Sequence, residues 1–145
     1  MILSIDAGNS RIKWRLTDNG ELLSQGTHLT SDIANEKNID FSAIKSPSEI
    51  RIASVSGDKV VELLKQQLRQ QFSAPIRLAV VSATLGELSC AYEDPQTLGI
   101  DRWLAIAAAY DTYQEPVMVV DAGSAITIDI IGPNGQHVGG YIAPG

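Results

Sequence analysis

The chain carries the same short motif near both of its ends. Asp6-Ala7-Gly8 follows an apolar run that begins at Met1, and Asp121-Ala122-Gly123 follows the run Val117–Val120. The second motif lies 115 residues after the first, and two Asn-Gly pairs, at 19–20 and 134–135, share that offset. Chance similarity of short glycine-rich segments is the alternative, but two matched anchors favour an internal repeat. The repeat predicts two like domains, each starting with strand, Asp-Ala-Gly tip, strand, Asn-Gly turn and strand, and facing each other across a cleft.

Each tip has the chemistry to bind a phosphate group. Glycine lets the backbone approach a ligand closely, and backbone amides with the side chains of Asn9, Ser10 and Ser124 can hold phosphate oxygens. An aspartate at the end of the preceding strand can bind a cation or its water shell. Asp6 and Asp121 could instead only cap the strand ends. The sequence contains neither G-x-x-x-x-G-K-[ST] nor G-x-G-x-x-G, so a P-loop or a Rossmann site lacks its motif.

The rest of the chain alternates strand-like and helix-like segments, which predicts an α/β fold. Ile12, Trp14 and Leu16 alternate with basic residues, as in a half-buried strand over 11–17. Further strands are predicted at 21–27, 51–56, 76–82 and 117–120, and helices at 58–72, which Asp58 would cap, and at 101–114. Segment 28–49 is weakly patterned and is predicted to be loop or irregular helix, and 83–98 is predicted to be irregular.

Composition excludes several classes of protein. The net charge of −6 argues against a sequence-independent nucleic-acid binder. The single Cys90 cannot form an internal disulfide and is predicted to be reduced and partly buried. Asp6 interrupts the N-terminal apolar run, so no signal peptide is predicted, and no apolar stretch is long enough to span a membrane. We therefore expect a cytoplasmic protein with no nucleic-acid or membrane partner.

Four segments in order, "IDAGNSRIKW", "LGIDRW", "VDAGSAITID" and "GGYIAPG", resemble the type III pantothenate kinases of the acetate and sugar kinase/Hsp70/actin superfamily. The resemblance implies phosphorylation of pantothenate by ATP, the first step of coenzyme A biosynthesis. It also implies Mg²⁺, a monovalent cation such as K⁺ or NH₄⁺, and a homodimer. The implied fold is a ribonuclease H-like (actin-like ATPase) domain at 1–115, a mixed β-sheet flanked by helices. Residues 116–145 would hold the first β-hairpin of a second, duplicated domain, incomplete here.

The resemblance also assigns roles to individual residues. Asp101 would be the general base on the pantothenate hydroxyl, Asp6 would organise Mg²⁺ through water, and Asp121 would bind the monovalent cation. The ATP-phosphate contacts would come from Asp6, Ala7, Gly8, Asn9, Ser10, Arg11, Ile12, Lys13 and Ser124. The pantothenate pocket would be lined by Tyr92, Gly99, Ile100, Asp101 and Arg102. The family more often has threonine where this chain has Ser10 and Ser124, and serine keeps the hydroxyl.

Several of these residues have a simpler structural interpretation. Asp101 could cap a helix, Arg102 could form a surface salt bridge instead of binding a carboxylate, and Tyr92 could be a packing residue. Lys13 could belong to a solvated basic strand face with its neighbours at 11 and 15. Asp129 could be a paired polar residue facing the cleft or could support the cation ligands, and the sequence does not separate the two. The sequence predicts His28 and His137 at the surface and Trp14 and Trp103 in the core.

Two rival functions remain at this stage. One is a non-catalytic nucleotide-binding regulatory protein of the same fold, resembling the Bvg accessory factor, and the other is a superfamily kinase or phosphatase with a different substrate. The C-terminal segment is also expected to lack a helix that covers it. Because an isolated hairpin is marginally stable in water, it would have to pack on the first domain, pair with another chain, or belong to a longer chain. Whether the 145 residues alone are active is left open.

Overall fold

A computed structural model describes residues 1–41, 44–123 and 125–145 of the chain. The described backbone forms two compact units, Met1–Ala79 and Val80–Gly145. The predicted boundary at residues 115 and 116 concerns the domains of the family fold and stays a prediction.

The first unit is built on a five-stranded mixed sheet. Its strands are β1 (Ile2–Ala7), β2 (Arg11–Asp18), β3 (Glu21–Leu29), β4 (Glu49–Ser54) and β5 (Ile76–Leu78). They lie in the order β3-β2-β1-β4-β5. Strands β1 to β3 are antiparallel, whereas β4 runs parallel to β1 and β5 parallel to β4. The mixed α/β sheet predicted for the N-terminal part is therefore confirmed.

Two helices, α1 (Thr30–Ala34) and α2 (Asp58–Gln71), pack with one face of this sheet in a common apolar core. Alternate residues of the strands face the helices, because successive side chains of a strand point to opposite faces. The buried members include Leu3, Ile5, Ala7, Ile12, Leu16, Ile50 and Ile52 from the sheet, and Ile33, Leu64 and Leu68 from the helices. The other face carries Asp6 and the exposed basic row Arg11, Lys13 and Arg15.

Some local predictions for the first unit are wrong. The cap of α2 is Gly57, with φ of 72°, and Asp58 is the first helical residue and makes no capping hydrogen bond. Strand β5 ends at Leu78 instead of 82. Ala79 N still donates to Ile52 O of β4 (2.8 Å), but Val80 is already 68% exposed. In the described part of segment 28–49, β3 continues to Leu29 and α1 follows. That weakly patterned segment also supplies Ile33, Ile39, Phe41 and Ile44 to the core.

The second unit joins a three-stranded antiparallel sheet to a helix. The helix α3 (Ile100–Tyr113) packs against β8 (Val117–Ala122) and β9 (Ala125–Ile131), and β10 (His137–Pro144) pairs with β9. A short hairpin precedes the helix, formed by β6 (Thr84–Leu85) and β7 (Leu88–Ser89). The expectation that no helix covers the C-terminal strands is therefore wrong. Trp103 of α3 is buried and Cys90 is partly buried, as predicted, and Ile106 of α3 is buried as well.

The internal repeat is confirmed by the strand pairing. Each copy is an antiparallel meander, β1-β2-β3 and β8-β9-β10, whose second connection carries an Asn-Gly pair. Both asparagines are left-handed, with φ of 46° at Asn19 and 59° at Asn134. The copies differ by one residue in register. Asp6 lies opposite Lys13, whereas Asp121 lies opposite Thr127, one position short of the offset of 115.

No described helix is long and apolar enough to cross a membrane.

Gly26 on β3 is fixed by the indole of Trp14. A β-carbon at position 26 would lie 2.6 Å from Trp14 Cζ2. The indole cannot easily move, because its Nε1 donates to His28 Nε2 (3.2 Å) and its ring meets Phe41 edge-on. His28, predicted at the surface, is thus half-buried among aromatic residues.

We expect Gly26→Ala to lower the free energy of unfolding by about 1–3 kcal/mol, because the added methyl overpacks this contact. Urea denaturation monitored by tryptophan fluorescence measures the change. Gln25→Ala, on the exposed face of the same strand, is the control and should change stability by less than about 0.5 kcal/mol. Equal stability of Gly26→Ala and the control would contradict the packing described.

Candidate functional site

The first Asp-Ala-Gly tip is closed by backbone hydrogen bonds and anchored to α1. Gly8 N donates to Arg11 O (3.0 Å), which holds the three-residue connection between β1 and β2. The hydroxyl of Thr30 donates to Gly8 O (2.7 Å), and Thr30 N donates to Ser10 O (3.1 Å). Because Thr30 is 5% exposed, the two carbonyls are held from inside the unit. Asn9 and Ser10 lie at the exposed end of the tip.

The residues predicted to contact ATP phosphates fall into two groups here. The side chains of Ala7 and Ile12 are fully buried in the core, so only their backbone could meet a ligand. Asp6 and Lys13 are exposed and lie directly opposite each other on β1 and β2. Opposite charges at such a cross-strand pair attract, so the end of β1 presents a carboxylate beside an ammonium. Gly8 and Arg11 complete the tip.

The second tip resembles the first but is tighter. Asp121 is exposed near the end of β8 and lies opposite Thr127. The closing hydrogen bond of this tip runs from Gly123 N to Ala125 O (2.9 Å), two residues along the chain. The closing bond of the first tip, from Gly8 N to Arg11 O, reaches three residues along the chain. Ser124, predicted to hold phosphate, lies outside the described residues. The role of Asp121 as a cation ligand stays a prediction.

The residues predicted for pantothenate meet at the start of α3. Gly99 is the N-cap residue and Ile100 begins the helix, with its side chain buried. Asp101 is exposed in the first turn, and its Oδ1 accepts a hydrogen bond from Arg102 N (2.8 Å). The N-terminal end of a helix favours a negative charge. The accessible carboxylate therefore lies where the helix favours a negative charge, although Asp101 is not the N-cap residue.

Arg102 is not a surface residue. Its side chain is 7% exposed and makes a bidentate ion pair with Asp129 on β9: Nε donates to Oδ2 (2.8 Å) and Nη2 to Oδ1 (2.6 Å). Nη1 faces the hydroxyl of Tyr92 at 3.5 Å. The hydrogen bonds to Asp129 raise the pKa of the Arg102 guanidinium further above its usual value, so it stays charged. Asp129 is 2% exposed and is paired with Arg102, which agrees with the first of its two predicted roles, a paired polar residue.

His137 belongs to the same cluster, and its predicted surface position is wrong. The residue is 1% exposed, and its Nε2 lies 2.9 Å from Asp129 Oδ1. Its Nδ1 accepts from Ala91 N (3.4 Å), which places the ring proton on Nε2 as the donor to Asp129. The ring also stacks on Tyr92, with centroids 6.0 Å apart. Sequence reasoning missed His137 because the residue has no partner at a regular spacing.

The described residues contain no cluster of three or more His, Cys, Asp or Glu side chains placed to hold a metal ion. Asp6 and Asp121 are exposed carboxylates, one in each unit. Such groups fit a hydrated cation that a nucleotide brings with it, since Mg²⁺ is often held by one or two carboxylates plus phosphates.

Comparison with known proteins decides the family. The family model described as type III pantothenate kinase matches residues 2–145. The chain belongs to the type III pantothenate kinase family. It is 36% identical to the type III pantothenate kinase of Hahella chejuensis, over 99% of this chain and 58% of that protein. It is also 36% identical to the one from Pseudomonas paraeruginosa, over 100% of this chain and 59% of that protein. The chain thus spans somewhat more than half the length of these curated relatives.

Solved structures support the fold. A Campylobacter jejuni protein, titled as a Baf family transcriptional activator, has a TM-score of 0.56 and 32% identity, covering 99% of this chain and 54% of that one. A Sinorhizobium meliloti protein, titled as a 2-dehydro-3-deoxygalactonokinase, has a TM-score of 0.59 and 12% identity, covering 98% of this chain and 53% of that one. The second likeness shows the fold alone, and it supports the predicted ribonuclease H-like (actin-like ATPase) fold class.

Thr30 is a second residue that sequence reasoning missed. We expect Thr30→Val to lower the free energy of unfolding by about 0.5–2 kcal/mol, because the partly buried Gly8 carbonyl loses its hydroxyl donor. Hydrogen exchange at Gly8 N should accelerate more than exchange at amides in the middle of β1. Thr27→Val, at an exposed position of β3, is the control. Unchanged exchange at Gly8 in Thr30→Val would show that Thr30 does not hold the tip.

Proposed function

We propose that this chain takes part in the ATP-dependent phosphorylation of pantothenate to 4′-phosphopantothenate, the first step of coenzyme A biosynthesis. Membership of the type III pantothenate kinase family supports the proposal. The observation that carries it is the cluster at the start of α3. An exposed carboxylate, Asp101, adjoins Arg102 and, through it, the hydroxyl of Tyr92. A proton acceptor beside donors for a carboxylate suits a substrate with a hydroxyl at one end and a carboxylate at the other.

Asp101 would orient the attacking hydroxyl and accept its proton. Phosphoryl transfer passes through a loose transition state, so positioning contributes more than base strength. An exposed carboxylate at a helix start suits that task, since it need only form a hydrogen bond to the hydroxyl. Arg102 Nη1 and the Tyr92 hydroxyl would receive the pantothenate carboxylate, with Gly99 and Ile100 shaping the same pocket.

The two tips would hold the phosphates of ATP. The backbone of Ala7 to Ile12, with the side chains of Asn9 and Ser10, would contact phosphate oxygens. Lys13 and Arg11 would offset their charge. Ser124 would contribute a hydroxyl from the second tip. When bound, Mg²⁺ and a monovalent cation, K⁺ or NH₄⁺, would neutralise charge on the transferred phosphoryl group. We propose Asp6 as the Mg²⁺ partner through water and Asp121 as the monovalent cation ligand.

Two further features belong to the proposal. We place the reaction in the cytoplasm, where ATP is available and a single reduced cysteine is stable. We also propose a homodimer, which follows from the family resemblance, and light scattering of the purified protein measures it.

A regulatory role is the second candidate. The Campylobacter jejuni relative, 32% identical, is titled as a member of a transcriptional activator family. An exposed Asp101 next to a buried arginine argues for catalysis, because a pure nucleotide binder does not need a proton acceptor there. The two candidates differ in pantothenate-dependent turnover.

The kinase proposal predicts release of ADP that depends on pantothenate, Mg²⁺ and a monovalent cation. A coupled assay measures it on this chain, and on a family-length fusion in which Gly145 is joined to the part of the Hahella chejuensis relative outside the matched segment. Asp101→Asn should lower kcat by about 10²–10⁴-fold, because it removes the proton acceptor.

Asp111→Asn is the matched control, since it changes an exposed aspartate further along α3. Its turnover should stay within about twofold of the unmodified protein. ATP binding without pantothenate-dependent ADP release in the fusion would overturn the kinase proposal and favour the regulatory one.

A further inference from the structure

We propose that Asp129 and His137 are positioning residues, which hold Arg102 and Tyr92 together as one receptor for the carboxylate of the acceptor substrate. The proposal rests on the proposed function, because it concerns the same site. Neither residue is placed to touch the reacting atoms. Their effect would pass through Arg102 and Tyr92.

The two sides of the Arg102 guanidinium have different partners. Asp129 takes the Nε–Nη2 edge of Arg102, at 2.8 and 2.6 Å. That contact fixes the guanidinium plane, because a bidentate pair allows little rotation. The Nη1 end is then directed towards the hydroxyl of Tyr92. A carboxylate arriving there would meet two donors, Nη1 and the Tyr92 hydroxyl, whose relative position is already set.

The ring of His137 contacts both halves of the receptor, the Asp129–Arg102 pair and Tyr92. Its Nε2 binds Asp129 Oδ1 at 2.9 Å, and its face stacks on Tyr92 with an angle of 19° between the ring planes. The Ala91 amide, donating to Nδ1, ties the ring to the segment that carries Tyr92. Replacing His137 would therefore remove the contact that links Tyr92 to the Asp129–Arg102 pair.

The residue next to the ion pair on β10 is Gly140, which has no side chain to occupy this space. A β-carbon there would lie 2.5 Å from Arg102 Nη2 and would also collide with Asp129 Oδ1 and with the backbone oxygen of Ile128. Gly140 pairs with Asp129 across β9 and β10. The glycine thus leaves room for the pair to form.

Charge balance shows what the receptor would recognise. The charges of Arg102 and Asp129 cancel as an ion pair. Net charge therefore contributes little to attracting a carboxylate. Recognition would depend on directed hydrogen bonds: a carboxylate offers one oxygen to Nη1 and a second to the Tyr92 hydroxyl, whereas an alcohol offers a single oxygen and leaves one donor without its partner.

The test compares pantothenate with its alcohol analogue, in which CH₂OH replaces the carboxylate. Isothermal titration on the 145-residue chain gives binding of both compounds, and steady-state kinetics on the family-length fusion gives kcat and KM. The variants are Asp129→Asn, His137→Gln and Gly140→Ala. Asp111→Asn is again the control.

We expect each variant to raise the KM for pantothenate by about tenfold or more while kcat and the KM for ATP change less than about threefold. The preference for the acid over the alcohol should fall by about tenfold in both assays. A merely structural role would lower the active fraction without changing this preference. Circular dichroism shows whether each variant folds, and Tyr92→Phe, which removes only a hydroxyl, serves if the buried variants do not.

Four outcomes are distinguishable. Loss of acid preference in the variants supports the proposal, and an unchanged preference in folded variants overturns it. If the unmodified protein binds pantothenate without turnover, the kinase proposal fails while the binding ratio still decides the role of Asp129 and His137. If the unmodified chain and fusion bind neither compound, both proposals are overturned.

Discussion

The buried ion pair between Arg102 and Asp129 is the contact on which the organisation of the second unit depends. It joins the first turn of α3 to the middle of β9, across 27 residues of sequence, and both side chains are less than 10% exposed. Removing one partner of such a pair leaves an uncompensated buried charge and typically costs about 3–5 kcal/mol. Replacing both partners with apolar residues is often neutral for stability. Stability alone therefore does not explain a buried pair at this place. Its distinctive contribution is a fixed orientation, which an apolar contact would not give.

The two copies of the repeat show how one motif is adapted to different surroundings. In the first copy, β1 is a central strand and its tip is held by Thr30 through the carbonyls of Gly8 and Ser10. In the second copy, β9 carries a buried carboxylate that faces α3. The shared part is the antiparallel meander with its Asn-Gly connection, and what differs is the partner that each meander packs against. A duplicated backbone can thus support two separate kinds of polar contact.

Much of the fold could be predicted because it depends on local patterns. The alternation along β2, the left-handed Asn-Gly turn and the apolar stripe of α2 each depend on neighbours within a few residues. The missed features depend on distant contacts. Ile39 and Phe41 are buried although their segment lacks a periodic pattern. Gln67 of α2 accepts from Ile39 N (2.9 Å), and Phe41 packs against the rings of Trp14, His28 and Phe72. His137 looked like a loop residue, and only the pairing of β10 with β9 brings it to Asp129. The tip motifs could be predicted from the sequence, but the contacts of Asp129 with Arg102 and His137 could not.

We propose that the site at the start of α3 directs phosphoryl transfer to the primary hydroxyl of pantothenate. Proton-coupled ³¹P NMR of the reaction products tests it most directly, using the family-length fusion with ATP, Mg²⁺, K⁺ and pantothenate. We predict a new phosphomonoester signal split into a triplet by the two protons of the adjacent CH₂ group, growing together with ADP. A doublet, which would place the phosphate on the secondary hydroxyl, or consumption of ATP with only inorganic phosphate formed, would contradict the account.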